Sequence, residues 1–172
     1  HLSYWQGKPS EYVLADVSLD MMEFAKNRLS NSNIPYSSFC ISRNQPLSLD
    51  DSSVDIIVSF YSLEHLYPLQ PYLDEIKRVL KPGGLLVGAI PAEGGLAWGG
   101  GRLLTTRRWF KKNTSIDYDK IICWEHPNFA DQIITKLDQV FDRDALEHWP
   151  LRWAPVIDVN LILRFKYQKP LF

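Results

Sequence analysis

Cysteine is scarce: the 172 residues hold only Cys40 and Cys123, with no CxxC spacing. That excludes a disulfide framework and predicts free thiols in a reducing compartment. Long apolar runs are missing too. None approaches the ~20 residues of a membrane helix, and no secretory signal is visible. Charge of one sign is not in excess: 19 Lys and Arg face 20 Asp and Glu, a net charge of −1. A histone-like or polybasic nucleic-acid binder is thereby excluded. There is no internal repeat, no low-complexity tract and no GxSxG elbow, so a Ser-His-Asp hydrolase of that type is unsupported. Asp50, Asp51 and Asp55 lack EF-hand spacing, and a metal site is rejected. What is present is 45% hydrophobic and 23% charged, the balance of a globular domain, and the length suits one domain over 1–172.

Strand-like and helix-like segments alternate. Tyr12 to Ala15, ending at Asp16, reads as a strand buried on both faces. Ser18 then suits an N-cap, with Asp20 and Glu23 near the positive end of a helix over Leu19–Leu29. Leu19, Met22, Ala25 and Leu29 form its apolar stripe. Ser38–Ser42 suits a second strand. Val54–Phe60, with Ile56-Ile57-Val58, has the pattern of a central parallel strand. Pro71–Leu80 is predicted helical, Lys81-Pro82-Gly83-Gly84 a stop signal, and Leu85–Ile90 a third buried strand. Glu93 to Gly101 contains five glycines and Trp98 and is expected to be a mobile segment or lid. Leu103–Lys112 is basic and partly helical. Phe129–Phe141 is predicted to bury Ile133, Ile134, Leu137 and Val140. Ala145–Trp149 and Val159–Tyr167 are expected to pair antiparallel at the sheet edge, because their link is too short for a crossover helix. The fold class is α/β with a mainly parallel sheet.

An acid at the carboxyl end of a parallel strand can accept from both hydroxyls of a ribose, and ligands of open α/β sheets lie at those strand ends. Asp16 fits that role, and equally that of a nicotinamide-dinucleotide acid or of a simple anion ahead of the next helix. The wider order is Ala15-Asp16-Val17-Ser18-Leu19-Asp20-Met21-Met22, Leu49 to Ser59, Leu63-Glu64-His65-Leu66 and Arg78-Val79-Leu80-Lys81-Pro82-Gly83-Gly84. This resembles the class I S-adenosylmethionine-dependent methyltransferases of the broad small-molecule group. The resemblance implies a Rossmann-like, doubly wound sheet with an antiparallel C-terminal edge strand, and S-adenosylmethionine as cofactor. It implies that Asp16, with Val17 and Ser18 beside it, binds the ribose, that Met21 packs on the adenine, and that Ser59, Phe60 and Tyr61 lie beside the methionine part. The family's adenine-binding acid is replaced by Ser42-Arg43-Asn44-Gln45, where Asn44, with Gln45 adjacent, can accept from the adenine amino group and Arg43 cannot. The family's glycine-rich loop is not found. His1-Leu2-Ser3-Tyr4 resembles the helix after it, so the first strand is expected to lie upstream of the sequence given.

Methyl transfer from a sulfonium needs alignment, and a base only where the acceptor must lose a proton. His65 and His126 are the candidate bases; each can equally be structural. Arg102, Arg107 and Arg108, with Lys111, Lys112 and Trp98, can clamp an anionic acceptor or form a solvated helix face. Segment 92–128 is expected to be the lid or acceptor-binding insertion. The expected function is therefore cytoplasmic methyl transfer to a small-molecule or sugar-like acceptor, nucleic acid being disfavoured. The alternatives are a non-catalytic binding or regulatory protein on the same scaffold, and a nicotinamide-dependent oxidoreductase.

Overall fold

A computed structural model describes residues 9–30, 33–42 and 45–171. The chain divides into two compact units, His1–Ser48 and Leu49–Phe172, considered one at a time.

In the first unit, β1 (Tyr12–Asp16) and β2 (Tyr36–Cys40) pair in parallel, from Tyr12 opposite Tyr36 to Asp16 opposite Cys40. A parallel pair needs a crossover, and α1 (Leu19–Leu29) supplies it. Ser18 caps α1: its hydroxyl accepts from the Met21 N–H at 3.3 Å. β1 is half-buried rather than buried on both faces. The expected stripe of α1 holds only in part, since Met22 and Leu29 are buried while Leu19 is 65% exposed. β2 starts two residues earlier than expected, directly after Pro35.

In the second unit the strand order is β3-β4-β6-β5. β3 (Val54–Phe60) pairs in parallel with β4 (Leu80–Pro91) through the crossover helix α2 (Leu69–Val79). α2 begins earlier than Pro71, because a proline in the first helical turn gives up no intrahelical hydrogen bond. Lys81-Pro82-Gly83-Gly84 does not interrupt the strand. It forms an irregularity within β4, where the register passes from Val54–Leu80 to Ile56–Leu85. Gly83 takes a φ of +76° there, and its N–H donates to the Lys169 carbonyl at 3.0 Å.

The glycine-rich segment, expected to be mobile or a lid, runs into a helix, α3 (Leu96–Leu104), followed by α4 (Thr106–Asn113) and α5 (Tyr118–Glu125). Asp158 accepts from the Leu96 N–H at 3.3 Å, placing a carboxylate at the start of α3. α6 (Ala130–Val140) buries all four predicted residues and Ala130. β5 (Asp142–Trp149) and β6 (Ile162–Gln168) are antiparallel, as expected. The C-terminal strand, however, is not the edge: β6 lies between β4 and β5 and pairs antiparallel with both, so β5 is the edge. The reason is burial. Leu163, Phe165 and Tyr167 are each less than 5% exposed, whereas β5 buries only His148. Two strand pairs are parallel and two antiparallel, so the described pairing is evenly mixed rather than mainly parallel.

The core of this unit joins Leu73 and Ile76 of α2, Ile133 and Leu137 of α6, and Leu86 and Ile90 of β4 to the buried residues of β6. Gly88 permits it. A Cβ there would lie 1.9 Å from the Ser59 carbonyl oxygen and 2.6 Å from the Phe165 ring.

Candidate functional site

In the first unit, Asp16 ends β1 and turns back to the start of α1. Its Oδ1 accepts from the Ser18 N–H at 2.8 Å. Its Oδ2 makes no hydrogen bond among the described residues. Val17 is 67% and Met21 60% exposed beside it. A carboxylate with one oxygen anchored and the other available, next to bare apolar side chains, fits a ribose hydroxyl and an aromatic base. Gln45 is exposed, and its N–H donates to the Ser42 carbonyl at 3.2 Å. Asn44 and Arg43 lie outside the described residues.

In the second unit, Ser59, Phe60 and Tyr61 stand at the carboxyl end of β3. The Ser59 hydroxyl is paired with that of Ser62 at 2.6 Å. Phe60 and Tyr61 are about half exposed, and Tyr61 takes a φ of +52°. A left-handed tyrosine is strained; here the strain turns the chain out of the sheet.

His65 and His126 are brought together. Their rings meet edge to face, 4.5 Å between centroids. His65 ends a short 3-10 turn, Leu63–His65, and its Nδ1 lies 2.8 Å from the Glu125 carbonyl. Asn128 fixes that turn by donating to the Leu63 carbonyl at 3.1 Å and the Leu66 carbonyl at 2.6 Å. His126, just after α5, bonds through Nδ1 to Oε2 of Glu93, and the Arg102 guanidinium occupies Glu93 Oε1. Glu93 is 3% exposed. Burial alone would raise its pKa, but the hydrogen bond from His126 and the two cationic neighbours prevail and lower it. The same hydrogen bond raises the His126 pKa against its own burial. Arg102 also stacks over the Tyr118 ring at 5.3 Å. Glu64, 2% exposed, has an Oε2 with no hydrogen-bond partner, and burial raises its pKa. The result is a buried cation–carboxylate–imidazole chain beside a second buried carboxyl.

The basic residues separate. Arg102 points inward, with Trp98 one turn earlier on the same helix face, its Nε1 buried without a partner. Arg107 pairs with Asp119 at the surface and lines a shallow groove with Lys111, Thr114 and Tyr118. Arg108 is exposed. Glu64 and Glu93 escaped the sequence reading. Glu93 was within reach, because it follows the carboxyl end of β4, the position for which Asp16 was singled out.

The profile of a family described as methyltransferase domain matches residues 1–88. A ubiquinone/menaquinone biosynthesis C-methyltransferase of Hydrogenovibrio crunogenus is 33% identical over 82 residues, 47% of this chain; the chain spans 32% of that relative. An S-adenosylmethionine-dependent methyltransferase of Methanosarcina mazei superposes with a TM-score of 0.62 at 19% identity, over 94% of this chain and 83% of that one. The N-methyltransferase NodS of Bradyrhizobium japonicum, in complex with S-adenosyl-L-homocysteine, gives 0.56 at 20% identity, over 92% and 66%. The fold is Rossmann-like α/β. Among the described residues no helix is long and apolar enough to cross a membrane.

Proposed function

The chain belongs to the methyltransferase-domain family, and on that premise we propose that it transfers the methyl group of S-adenosylmethionine to a small-molecule or sugar-like acceptor. The observation that carries the reading is Asp16, a strand-end carboxylate whose Oδ2 is available for a hydroxyl. Val17, Ser18 and Met21 would accompany it on the nucleoside; Ser59, Phe60 and Tyr61 would hold the methionine end. When bound, the cofactor supplies an electrophilic methyl group on a sulfonium, open to in-line displacement.

The protein's own task is to hold the acceptor and remove its proton. His126 suits that task. Glu93 fixes the proton on Nδ1, leaving Nε2 as the basic atom, and raises the basicity of the ring. Glu93 is a positioning residue, and Arg102 holds Glu93 in turn. His65 packs on the ring edge and limits its rotation. We read segment 92–128 as the acceptor-binding insertion, with the Trp98 indole as a wall and Arg107 and Arg108 supplying positive charge to an anionic acceptor.

Titration calorimetry with S-adenosylhomocysteine tests the nucleoside assignment. Asp16→Ala should weaken binding by about 1.5–3 kcal/mol, the worth of hydrogen bonds to a charged group. An unchanged dissociation constant would refute the role of Asp16. Binding without methyl transfer to any small-molecule acceptor would favour a non-catalytic protein.

A further inference from the structure

α3 is turned the opposite way to an ordinary surface helix. Its Trp98 and Arg102 face inward, where Arg102 meets the buried Glu93. Leu96, Gly100, Leu103 and Leu104, spaced i, i+4, i+7 and i+8, form the other face. Leu96 is 78%, Leu103 53% and Leu104 71% exposed. An amphipathic helix normally buries its apolar stripe; this one presents it to solvent. α4 and α5 likewise contain no buried residue, and on α4 Trp109 is 56% exposed.

Along the segment itself the charge has one sign, the nearest acids being Asp117 and Asp119 on the α5 side and Asp158 at the start of α3. From Leu96 to Ile116 there are five cations (Arg102, Arg107, Arg108, Lys111 and Lys112) and no acid. Arg102 and Arg107 are paired; Arg108, Lys111 and Lys112 form no ion pair among the described residues. Exposed leucines and a tryptophan interleaved with unpaired cations on short helices are the chemistry of an interface-lying segment. A second copy of this chain would bring the same cations face to face. A nucleic acid would satisfy the cations but gain nothing from Leu96, Leu103 and Leu104. A bilayer containing anionic lipid answers both features.

We propose that α3 and α4 form a peripheral membrane-binding surface, the leucines and Trp109 entering the headgroup–acyl boundary and Arg108, Lys111 and Lys112 meeting anionic headgroups. The surface goes beyond the methyl-transfer reading and stands without it, because its test needs no cofactor.

The test is co-sedimentation of the full chain with vesicles of equal parts phosphatidylglycerol and phosphatidylcholine, against vesicles of phosphatidylcholine alone. The chain should partition onto the anionic vesicles at least about tenfold more strongly, and added salt should weaken the binding. Lys111→Glu with Lys112→Glu should lower the partition coefficient by at least about tenfold. Leu103→Asp with Leu104→Asp should abolish binding at an unchanged circular-dichroism melt. Should the leucine variant unfold, the lysine variant, altered only at exposed positions, decides alone. No partition onto anionic vesicles, or partition indifferent to the lysine variant, overturns the proposal. So does a dimer lost in the leucine variant, or oligonucleotide binding, when either occurs without vesicle binding.

Discussion

Replacing Glu93 by glutamine removes the carboxylate between the Arg102 guanidinium and the His126 imidazole, whose side chains are only 20% and 15% exposed. Arg102 cannot give up its charge in response. Breaking a buried ion pair costs about 3–5 kcal/mol. The fifth of Arg102 that still reaches water reduces this, and we expect Glu93→Gln to lose about 2–4 kcal/mol. Urea denaturation measures it as a lower midpoint at unchanged slope. The loss must also depend on pH. The Glu93 pKa is lowered, so its contribution is present above the unfolded value of 4.5 and fades as pH falls through the folded one. The His126 pKa is raised, so its contribution is complete below 6.5 and fades as pH rises through the folded value. The difference between wild type and variant should therefore be greatest between pH 4.5 and 6.5 and smaller on either side. A triple variant with Glu93→Leu, Arg102→Met and His126→Leu should recover most of the loss, because apolar groups of similar volume need no partners. A loss below about 1 kcal/mol for Glu93→Gln, or no maximum in that pH window, would refute the reasoning.

Glu64→Gln keeps the shape of a carboxyl that burial holds towards its neutral form. Because a raised carboxyl pKa makes the folded state less favourable as pH climbs from the unfolded 4.5 through the folded value, the variant should be relatively more stable at neutral than at acid pH, read from melts across pH. Gly88→Ala forces a Cβ to within 1.9 Å of the Ser59 carbonyl oxygen; overpacking of that severity should cost about 3 kcal/mol or more, or prevent folding, as denaturant titration would report. If His126 is the proton acceptor, the acid limb of kcat should lie above the ordinary histidine value of 6.5 and move down in Glu93→Gln. A limb that stays in place in that variant would remove Glu93 from the positioning role.

Periodic burial was legible in the sequence; burial through side-chain pairing was not. Ile133, Ile134, Leu137 and Val140 repeat at helical spacing, and each is buried where that spacing places it. Leu163, Phe165 and Tyr167 alternate, and their strand is found. The stop signal at Lys81–Gly84 holds, since α2 ends at Val79; the early start of the next strand, at Leu80, was not legible, because an irregularity within a strand satisfies glycine and proline as well as a loop does. The short connection placed the last two strands as an antiparallel pair at the edge, as found, whereas the resemblance made the last strand itself the edge; its neighbours on both sides show that β5 is. Glu64 and Glu93 belong to a cluster drawn from segments about thirty residues apart in sequence, and no local pattern reports such a meeting.

The helix α3 shows how the two kinds of information combine. Three consecutive glycines, Gly99 to Gly101, weaken a helix by roughly 1 kcal/mol each relative to alanine, and a Cβ at any of them would meet nothing within 4 Å. Crowding therefore does not require glycine there, and local propensity opposes the helix. What holds it is tertiary: Asp158 at its first N–H and the Arg102–Glu93 pair, with Gly95 leaving room for the Ile157 carbonyl, which would lie 2.6 Å from a Cβ there. That pair also sets the rotation of the helix. With Arg102 drawn to a carboxylate that is itself buried, Leu96, Leu103 and Leu104 are left on the outside. The outward leucines are therefore the consequence of the inward charge, and the polar cluster and the apolar outer face are two sides of one helix orientation.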